Sequence, residues 1–269
     1  MTEKQEILER AQKASLLDSR IDRNVSGQQL DLVQWIFNQL EIGQGSRILE
    51  LCSGTGSQTL QLLHQADSTG HVVAMDISKE AIETLVSKLT PEQQQRSTFI
   101  LSNIDDLAHS LNRVGLKPAH FDLIFCAYGL YYSNNALLVM QTAKSWLRAQ
   151  GRIVIVGPFG TNNAPLFDLL KSGGVEIPCY VTYTSSDFMF KEVLPWAAQH
   201  FDKITINTVV NKITWQSSAD VLYYWRNTTF YDEAKLPAIE KLLEQHFARQ
   251  DKFINEKWIM MVESSNAKQ

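Results

Sequence analysis

The segment Ile48-Leu49-Glu50-Leu51-Cys52-Ser53-Gly54-Thr55-Gly56 carries the clearest chemical signal in the chain. An apolar run ends in a turn with two glycines, and a helical pattern starts at Ser57. Glycines in such a turn let a ligand approach the backbone closely, because no Cβ stands in the way. The first N–H groups of the following helix lack partners within it and sit at the positive end of its dipole. A ligand carboxylate is favoured there, and the acid Glu50 just before the turn favours a ligand ammonium group. Cys52, Ser53, Gly54, Thr55 and Gly56 are therefore candidates to hold the amino-acid end of a ligand.

Three further runs end in residues with matching chemistry. Val73-Ala74-Met75-Asp76-Ile77 places a carboxylate where it can accept hydrogen bonds from both hydroxyls of a ribose, and Ile77 offers an apolar surface to an adenine ring. Ile100-Leu101-Ser102-Asn103-Ile104 brings an amide that both donates and accepts, so Asn103 can read an adenine edge with the Ile104 N–H beside it. Cys126-Ala127-Tyr128-Gly129-Leu130-Tyr131-Tyr132 ends a fourth run, where a second substrate would meet the first ligand. Cys126, Ala127 and Tyr128 are counted with the cofactor-binding candidates.

These positions need strands and helices to bring them together. Strand patterns are expected at Arg47 to Cys52, His71 to Asp76, Ser97 to Ser102, Phe121 to Ala127 and Arg152 to Val156. Helical patterns fall between them at Ser57 to Gln65, Lys79 to Leu89, Ile104 to Asn112 and Asn135 to Arg148. Such alternation indicates parallel βαβ units, and the unbroken apolar strands fit a sheet covered on both faces. Two helices are expected before the first strand: one from Glu3 to Ser15, and one carrying Leu30, Val33, Phe37 and Leu40, with Ser26 and Gly27 as its start signal. After Val156 a helix from Ser185 to His200, shortened or kinked at Pro195, precedes a strand from Lys203 to Trp215. Helices at Ser218 to Arg226 and Leu236 to Arg249 then lead to a last strand, Phe253 to Val262.

The fold class is thus α/β: a doubly wound, mostly parallel seven-stranded sheet with an antiparallel edge strand, plus helical cap insertions. Residues 1–45 are expected to form N-terminal cap helices. Residues 46–269 are expected to form the ligand-binding domain, with insertions at about 158–200 and 216–250. Removal of residues 1–24 is expected to alter ligand affinity, because those helices would close over the site.

Composition narrows the function. The net charge of -4 leaves no basic stripe for a nucleic-acid backbone. No run of 18 or more apolar residues suggests a membrane span, and the charged N-terminus is unlike a signal peptide. Cys52, Cys126 and Cys179 show no CxxC spacing, so neither a disulfide framework nor a zinc or other metal site is expected. A reduced, cytoplasmic, soluble protein is the reading, with its oligomeric state open.

The Glu50-to-Gly56 turn, Asp76, the Asn103-Ile104 pair and the Phe121-Asp122-Leu123-Ile124 strand follow one another as the motifs of the class I S-adenosylmethionine-dependent methyltransferases do. Over about residues 47–157 the chain resembles that superfamily, which implies a Rossmann-like methyltransferase fold, S-adenosylmethionine as cofactor and methyl transfer as activity. Two positions depart from the pattern. Cys52-Ser53-Gly54 stands where Gly-Cys-Gly or Gly-Ser-Gly is common, narrowing the room near the methionine end, and Asn103 stands where Asp is common.

The acceptor is expected to be a small, partly apolar or aromatic metabolite. The fourth-strand loop lacks the Asp/Asn-Pro-Pro-aromatic run of enzymes that methylate adenine amino groups, and no nucleic-acid or membrane partner is expected. Candidate pocket aromatics are Phe159, Tyr180, Tyr183, Phe188, Trp196, Trp215, Tyr223, Tyr224, Trp225 and Tyr231. Tyr224 and Trp225 on one short helix are not expected to face inward together. Methyl transfer can proceed largely by alignment, so the catalytic residues stay open, with Tyr128, Tyr131, Tyr132 and His200 as candidates. Two alternatives remain: a non-catalytic binding or regulatory protein on the same fold, and a nicotinamide-dependent oxidoreductase. The second is disfavoured by Thr59, where a dinucleotide fingerprint wants a third glycine.

Overall fold

Short apolar runs bounded by glycine, serine or aspartate become the strands, and the longer periodic segments become helices. The structure, a computed structural model, describes residues 3–11 and 13–266. The strands are β1 (Arg47–Leu51), β2 (His71–Asp76), β3 (Ser97–Leu101), β4 (Phe121–Ala127), β5 (Leu147–Pro158), β6 (Lys203–Trp215) and β7 (Phe253–Ser265). They form one sheet in the order β3-β2-β1-β4-β5-β7-β6. β1 to β5 pair with one another in parallel, and the antiparallel part of the sheet lies at the β7 and β6 edge. This is the doubly wound, seven-stranded α/β arrangement that the alternation predicts.

The helices before the sheet are α1 (Glu3–Ala11), α2 (Ala14–Gly27) and α3 (Leu32–Asn38). Between strands lie α4 (Ser57–Gln65), α5 (Lys79–Ser87), α6 (Pro91–Gln95), α7 (Leu107–Arg113) and α8 (Ala136–Trp146). After β5 come α9 (Ala164–Ser172), α10 (Cys179–Ser186), α11 (Leu194–His200), α12 (Ser218–Arg226) and α13 (Leu236–Phe247). Local capping explains several of the boundaries. The Ser78 hydroxyl accepts the Ala81 N–H at the start of α5, and Asn135 accepts the Leu138 N–H at the start of α8.

Two compact units divide the chain. One consists of residues 33–157, 189–207 and 260–269, and the other of 1–32, 158–188 and 208–259. In the first, Ile48 and Leu49 of β1 and Ile124 and Phe125 of β4 are fully buried, as strands covered on both faces must be. In the second, Trp215, Val221, Trp225, Ile239 and Leu243 form the centre of a separate apolar cluster.

Four expectations need correction. A helix absent from the sequence reading, α2, occupies residues 14–27, although Leu17, Ile21 and Val25 recur at the i, i+4, i+8 spacing of one helix face. Gly27 therefore ends a helix instead of starting one. A Cβ at Gly27 would lie 2.3 Å from the Thr214 carbonyl oxygen, so glycine is what lets the chain pass that strand.

The helix expected over 185–200 is broken. A π-helical turn, Met189–Val193, separates α10 from α11, and Pro195 sits in the first turn of α11, where a missing N–H is harmless. β5 begins at Leu147, ahead of Arg152, with a register shift opposite Phe121 and Leu123.

Finally, Tyr224 and Trp225 are both buried, at 7% and 0% exposure. Both α2 and α13 pack against α12, and Trp215 meets the Tyr224 ring while Tyr231 meets the Trp225 ring.

Candidate functional site

The parallel sheet reverses its winding between β1 and β4, and ligands of such sheets bind outside the carboxyl ends at that switch point. The cofactor candidates from the sequence other than Glu50 fall there, within the first unit.

The turn after β1 is held in a left-handed curl. Cys52, Gly54 and Gly56 have φ of 57°, 53° and 92°, and Gly56 is the N-cap of α4. Three hydrogen bonds fix it to the end of β2 and to itself. The Ser53 N–H donates to the Met75 carbonyl at 3.0 Å, the Gly54 N–H to Asp76 Oδ2 at 2.8 Å, and the Gly56 N–H to the Ser53 carbonyl at 3.1 Å. Lys88 Nζ donates to the Thr55 carbonyl at 2.9 Å, tying down the far side.

A non-glycine residue in the left-handed region is costly, on the order of 1 kcal/mol. Cys52 is accommodated by a glycine elsewhere. A Cβ built on Gly129 would lie 2.2 Å from Cys52 Cβ and 2.5 Å from its Sγ. The Cys52 side chain thus fills the space that Gly129 leaves empty. The chain gives up a glycine in the first-strand turn and keeps one in the fourth-strand loop. Tyr128 beside it is also left-handed, at φ 57°. Two non-glycine residues in this strained region lie at the carboxyl ends of the adjacent strands β1 and β4, the kind of clustering found at functional sites.

Asp76 ends β2 almost fully buried. Its Oδ2 accepts the Gly54 N–H and its Oδ1 the Ser78 N–H, both at 2.8 Å. Burial raises its pKa, while those backbone donors and the Ile77 N–H pull it down. Each oxygen retains acceptor capacity for a further donor. Ile77 next to it is 43% exposed, and Leu101, its neighbour at the end of β3, is 49% exposed. Sequence reading named Ile77 but missed Leu101. The register pairs Asp76 with Leu101, so an exposed apolar residue ends β3 beside the strand that carries the acid.

Asn103 caps a single turn, its Oδ1 accepting the Asp105 N–H at 3.0 Å, and Ile104 is buried. Asp105 was also missed as a structural residue. It accepts from the Ser133 hydroxyl, from the Asn134 backbone N–H at 3.1 Å and from Asn134 Nδ2 at 2.9 Å. It therefore fastens the loop after β3 to the loop after β4, where Tyr131 and Tyr132 meet edge to face at 4.7 Å.

Two candidates fall elsewhere. Glu50, read as a partner for a ligand ammonium, is only 2% exposed beneath the turn. Burial, more than the opposing hydrogen bond from Thr59, raises its pKa to about 8. Its Oε2 accepts the Thr59 hydroxyl at 2.5 Å, which also explains why Thr59 occupies the position of a third glycine. Neutral and covered, Glu50 supports the turn from below.

His200 does not join the site. Its Nδ1 bonds the Trp196 carbonyl at 2.8 Å, its ring stacks on Trp196, and its carbonyl accepts Lys144 Nζ at 2.6 Å. Lys144 lies in the last turn of α8, which runs directly into the start of β5. That is the opposite end of the strands from their ligand-binding carboxyl ends. Asp122 also lies there, bonded to the Arg47 N–H at 2.9 Å and paired with Arg148 at 2.7 Å.

A seven-stranded 3-2-1-4-5-7-6 sheet with a glycine turn after β1 and a buried acid after β2 defines a Rossmann-like, nucleoside-binding fold. The methyltransferase domain family matches residues 42–179, half of the chain, and the protein belongs to that family. It is of the class I type, whose cofactor is S-adenosylmethionine. The nicotinamide alternative is thereby set aside.

Among relatives, the chain is 25% identical over 159 residues to a demethylmenaquinone methyltransferase of Lactococcus lactis, covering 59% of this chain and 54% of that one. It is 27% identical over 130 residues to a ubiquinone/menaquinone biosynthesis C-methyltransferase of Psychromonas ingrahamii, covering 48% of each. The chain spans about half the length of these curated relatives. Among solved structures, a putative methyltransferase of Bacillus halodurans superposes with a TM-score of 0.60 at 10% identity, covering 88% of this chain and 99% of that one. The YcgJ protein of Bacillus subtilis gives 0.59 at 12% identity, covering 88% and 98%. Both show the shared fold. No helix among the described residues is long and apolar enough to cross a membrane.

Proposed function

We propose that this protein transfers the methyl group of S-adenosylmethionine to a small, partly apolar or aromatic metabolite. The observation that carries the reading is the convergence at one switch point of the left-handed 52–56 turn, the Asp76 carboxylate bonded to it, and the loops after β3 and β4. In this reading Cys52 to Gly56 hold the methionine end, Asp76 accepts from the ribose hydroxyls, and Ile77 with Leu101 flank the adenine. Asn103 and the Ile104 N–H read the adenine edge. Cys126, Ala127 and Tyr128 line the side nearest the sulfonium, with Tyr131 and Tyr132 toward the acceptor. The cofactor supplies an activated methyl carbon. The chain supplies alignment and exclusion of water.

Residues 1–45, 158–200 and 216–250 would act as the cap in this scheme. The relatives named for demethylmenaquinone and ubiquinone/menaquinone biosynthesis make a quinol-type ring the first acceptor to try. Incubating the protein with S-adenosylmethionine and chemically reduced demethylmenaquinone should yield S-adenosylhomocysteine and a methylated ring in equal amounts. Cofactor binding without turnover of that ring would discard the quinol while leaving the broader reading. Failure with a panel of phenols, enols and amines as well would favour a non-catalytic role for the fold.

A further inference from the structure

A polar network joins two loops of the site whose strands do not touch. β3 and β4 stand three positions apart in the sheet, with β2 and β1 between them. At the usual strand spacing that is about 14 Å, too far for the two strand ends to meet. One carboxylate closes the gap. Asp105 Oδ1 accepts the Ser133 hydroxyl, and both Asp105 oxygens share the Asn134 backbone N–H, at 3.2 and 3.1 Å. Oδ2 also accepts Asn134 Nδ2 at 2.9 Å. Donors thus converge on both oxygens, and an amide in place of the carboxylate would set donor against donor.

The network runs on in both directions. On the β3 side the Asp105 N–H donates to Asn103 Oδ1 at 3.0 Å, and the Asp106 N–H donates to the Asn103 carbonyl at 3.0 Å. Asn103 therefore caps the very turn that carries Asp105. On the β4 side Ser133 is buried, and its Oγ accepts the Asn135 N–H at 2.9 Å. Asn135 Oδ1 accepts the Leu138 N–H at 3.1 Å in the first turn of α8. The Ser133 N–H returns to the Leu130 carbonyl at 3.1 Å, closing the turn that holds Tyr131 and Tyr132. α8 packs against α7 and against the 104–106 turn, which backs the link. Every residue in it belongs to the unit that contains 33–157.

We propose that Asp105 is a positioning residue that couples the two halves of the site. Adenine held at Asn103 and Ile104 favours the ordered form of the 130–134 loop, and the ordered loop favours the methyl acceptor. This rests on the methyl-transfer reading above. A ligand contact that fixes Asn103 also fixes the turn it caps, and the Asp105 carboxylate passes that order to Ser133 and Asn134. Ordering shared in this way is reciprocal, so a bound acceptor favours the cofactor in turn. Asp105 touches neither ligand in this scheme; it sets where Tyr131 and Tyr132 stand.

Hydrogen exchange of the full chain, with and without S-adenosylhomocysteine, reads the coupling without any acceptor. In the parent the ligand should slow exchange over 52–56 and 76–78, and also, by about tenfold, over 130–135. In Asp105→Ala the slowing over 52–56 and 76–78 should remain, and the slowing over 130–135 should be lost. Slowing over 130–135 that persists in Asp105→Ala overturns the proposal, because a purely structural tie would loosen the loop equally with and without ligand. So does a parent in which 52–56 responds and 130–135 does not. Should Asp105→Ala fail to fold, Asn134→Ala removes one donor at an exposed position and should weaken the same response. With an acceptor that turns over, Asp105→Ala should raise the acceptor KM about tenfold and leave S-adenosylmethionine affinity within about twofold. An unchanged acceptor KM overturns the coupling. A parent that responds to S-adenosylhomocysteine nowhere defeats the methyl-transfer reading itself, and the proposal with it.

Discussion

Gly129→Ala should cost about 3 kcal/mol of stability and abolish measurable cofactor binding, and adding Cys52→Gly should restore most of both. Gly129 has φ of -127° and ψ of -30°, which any residue tolerates, so backbone strain contributes nothing to the loss. The whole effect is steric. The new methyl would lie 2.2 Å from Cys52 Cβ, a group bonded directly to the backbone that cannot swing aside as a long side chain would. Overpacking of this kind costs about 1 to 3 kcal/mol, with the upper end expected where the neighbour is rigid. Cys52→Gly alone should stay within about 1 kcal/mol of the parent, because relief of a left-handed cysteine offsets the lost packing and the added chain entropy. Denaturant midpoints for the four proteins give the coupling energy. A coupling near zero would show that the two positions do not compete for the same space.

Glu50→Gln should stabilise the protein by about 2 to 3 kcal/mol at neutral pH and change little near pH 5. The carboxyl titrates near its model value of 4.5 when unfolded and at about 8 when folded. Between those values the folded chain holds a proton that the unfolded chain releases, so stability falls as pH rises through that window. Glutamine cannot ionise, still bonds Thr59, and removes the decline. Urea unfolding at several pH values between about 5 and 8 would measure it. If the variant is less stable than the parent at neutral pH, Glu50 is charged and has a partner, and its supporting role under the turn is wrong.

Local patterns carried much of the fold. The strands β1 to β4 emerge where apolar runs meet turn residues, and Gly54, Gly56 and Asp76 can be read because a strand, a turn and a helix follow in fixed order. What escaped reading depends on register and neighbours. The fit of Cys52 against Gly129 follows from the pairing of Leu51 with Cys126 across β1 and β4, positions far apart in the chain. The exposed Leu101 matters only because β3 pairs with β2 at Asp76. His200 was drawn toward the site by its place at a helix end, but Lys144 on α8 anchors that end at the opposite edge of the sheet. Tyr224 was read as one aromatic among ten. Its hydroxyl partner, Lys257, lies 33 residues from it in sequence.

Calorimetric titration with S-adenosylmethionine and S-adenosylhomocysteine, of the parent chain and of Asp76→Ala, tests the account most directly. The parent should bind both ligands with micromolar affinity, and Asp76→Ala should weaken binding by about 1 to 3 kcal/mol, the scale of lost hydrogen bonds to a charged group. No heat with either ligand, or affinity that ignores the loss of Asp76, would contradict it.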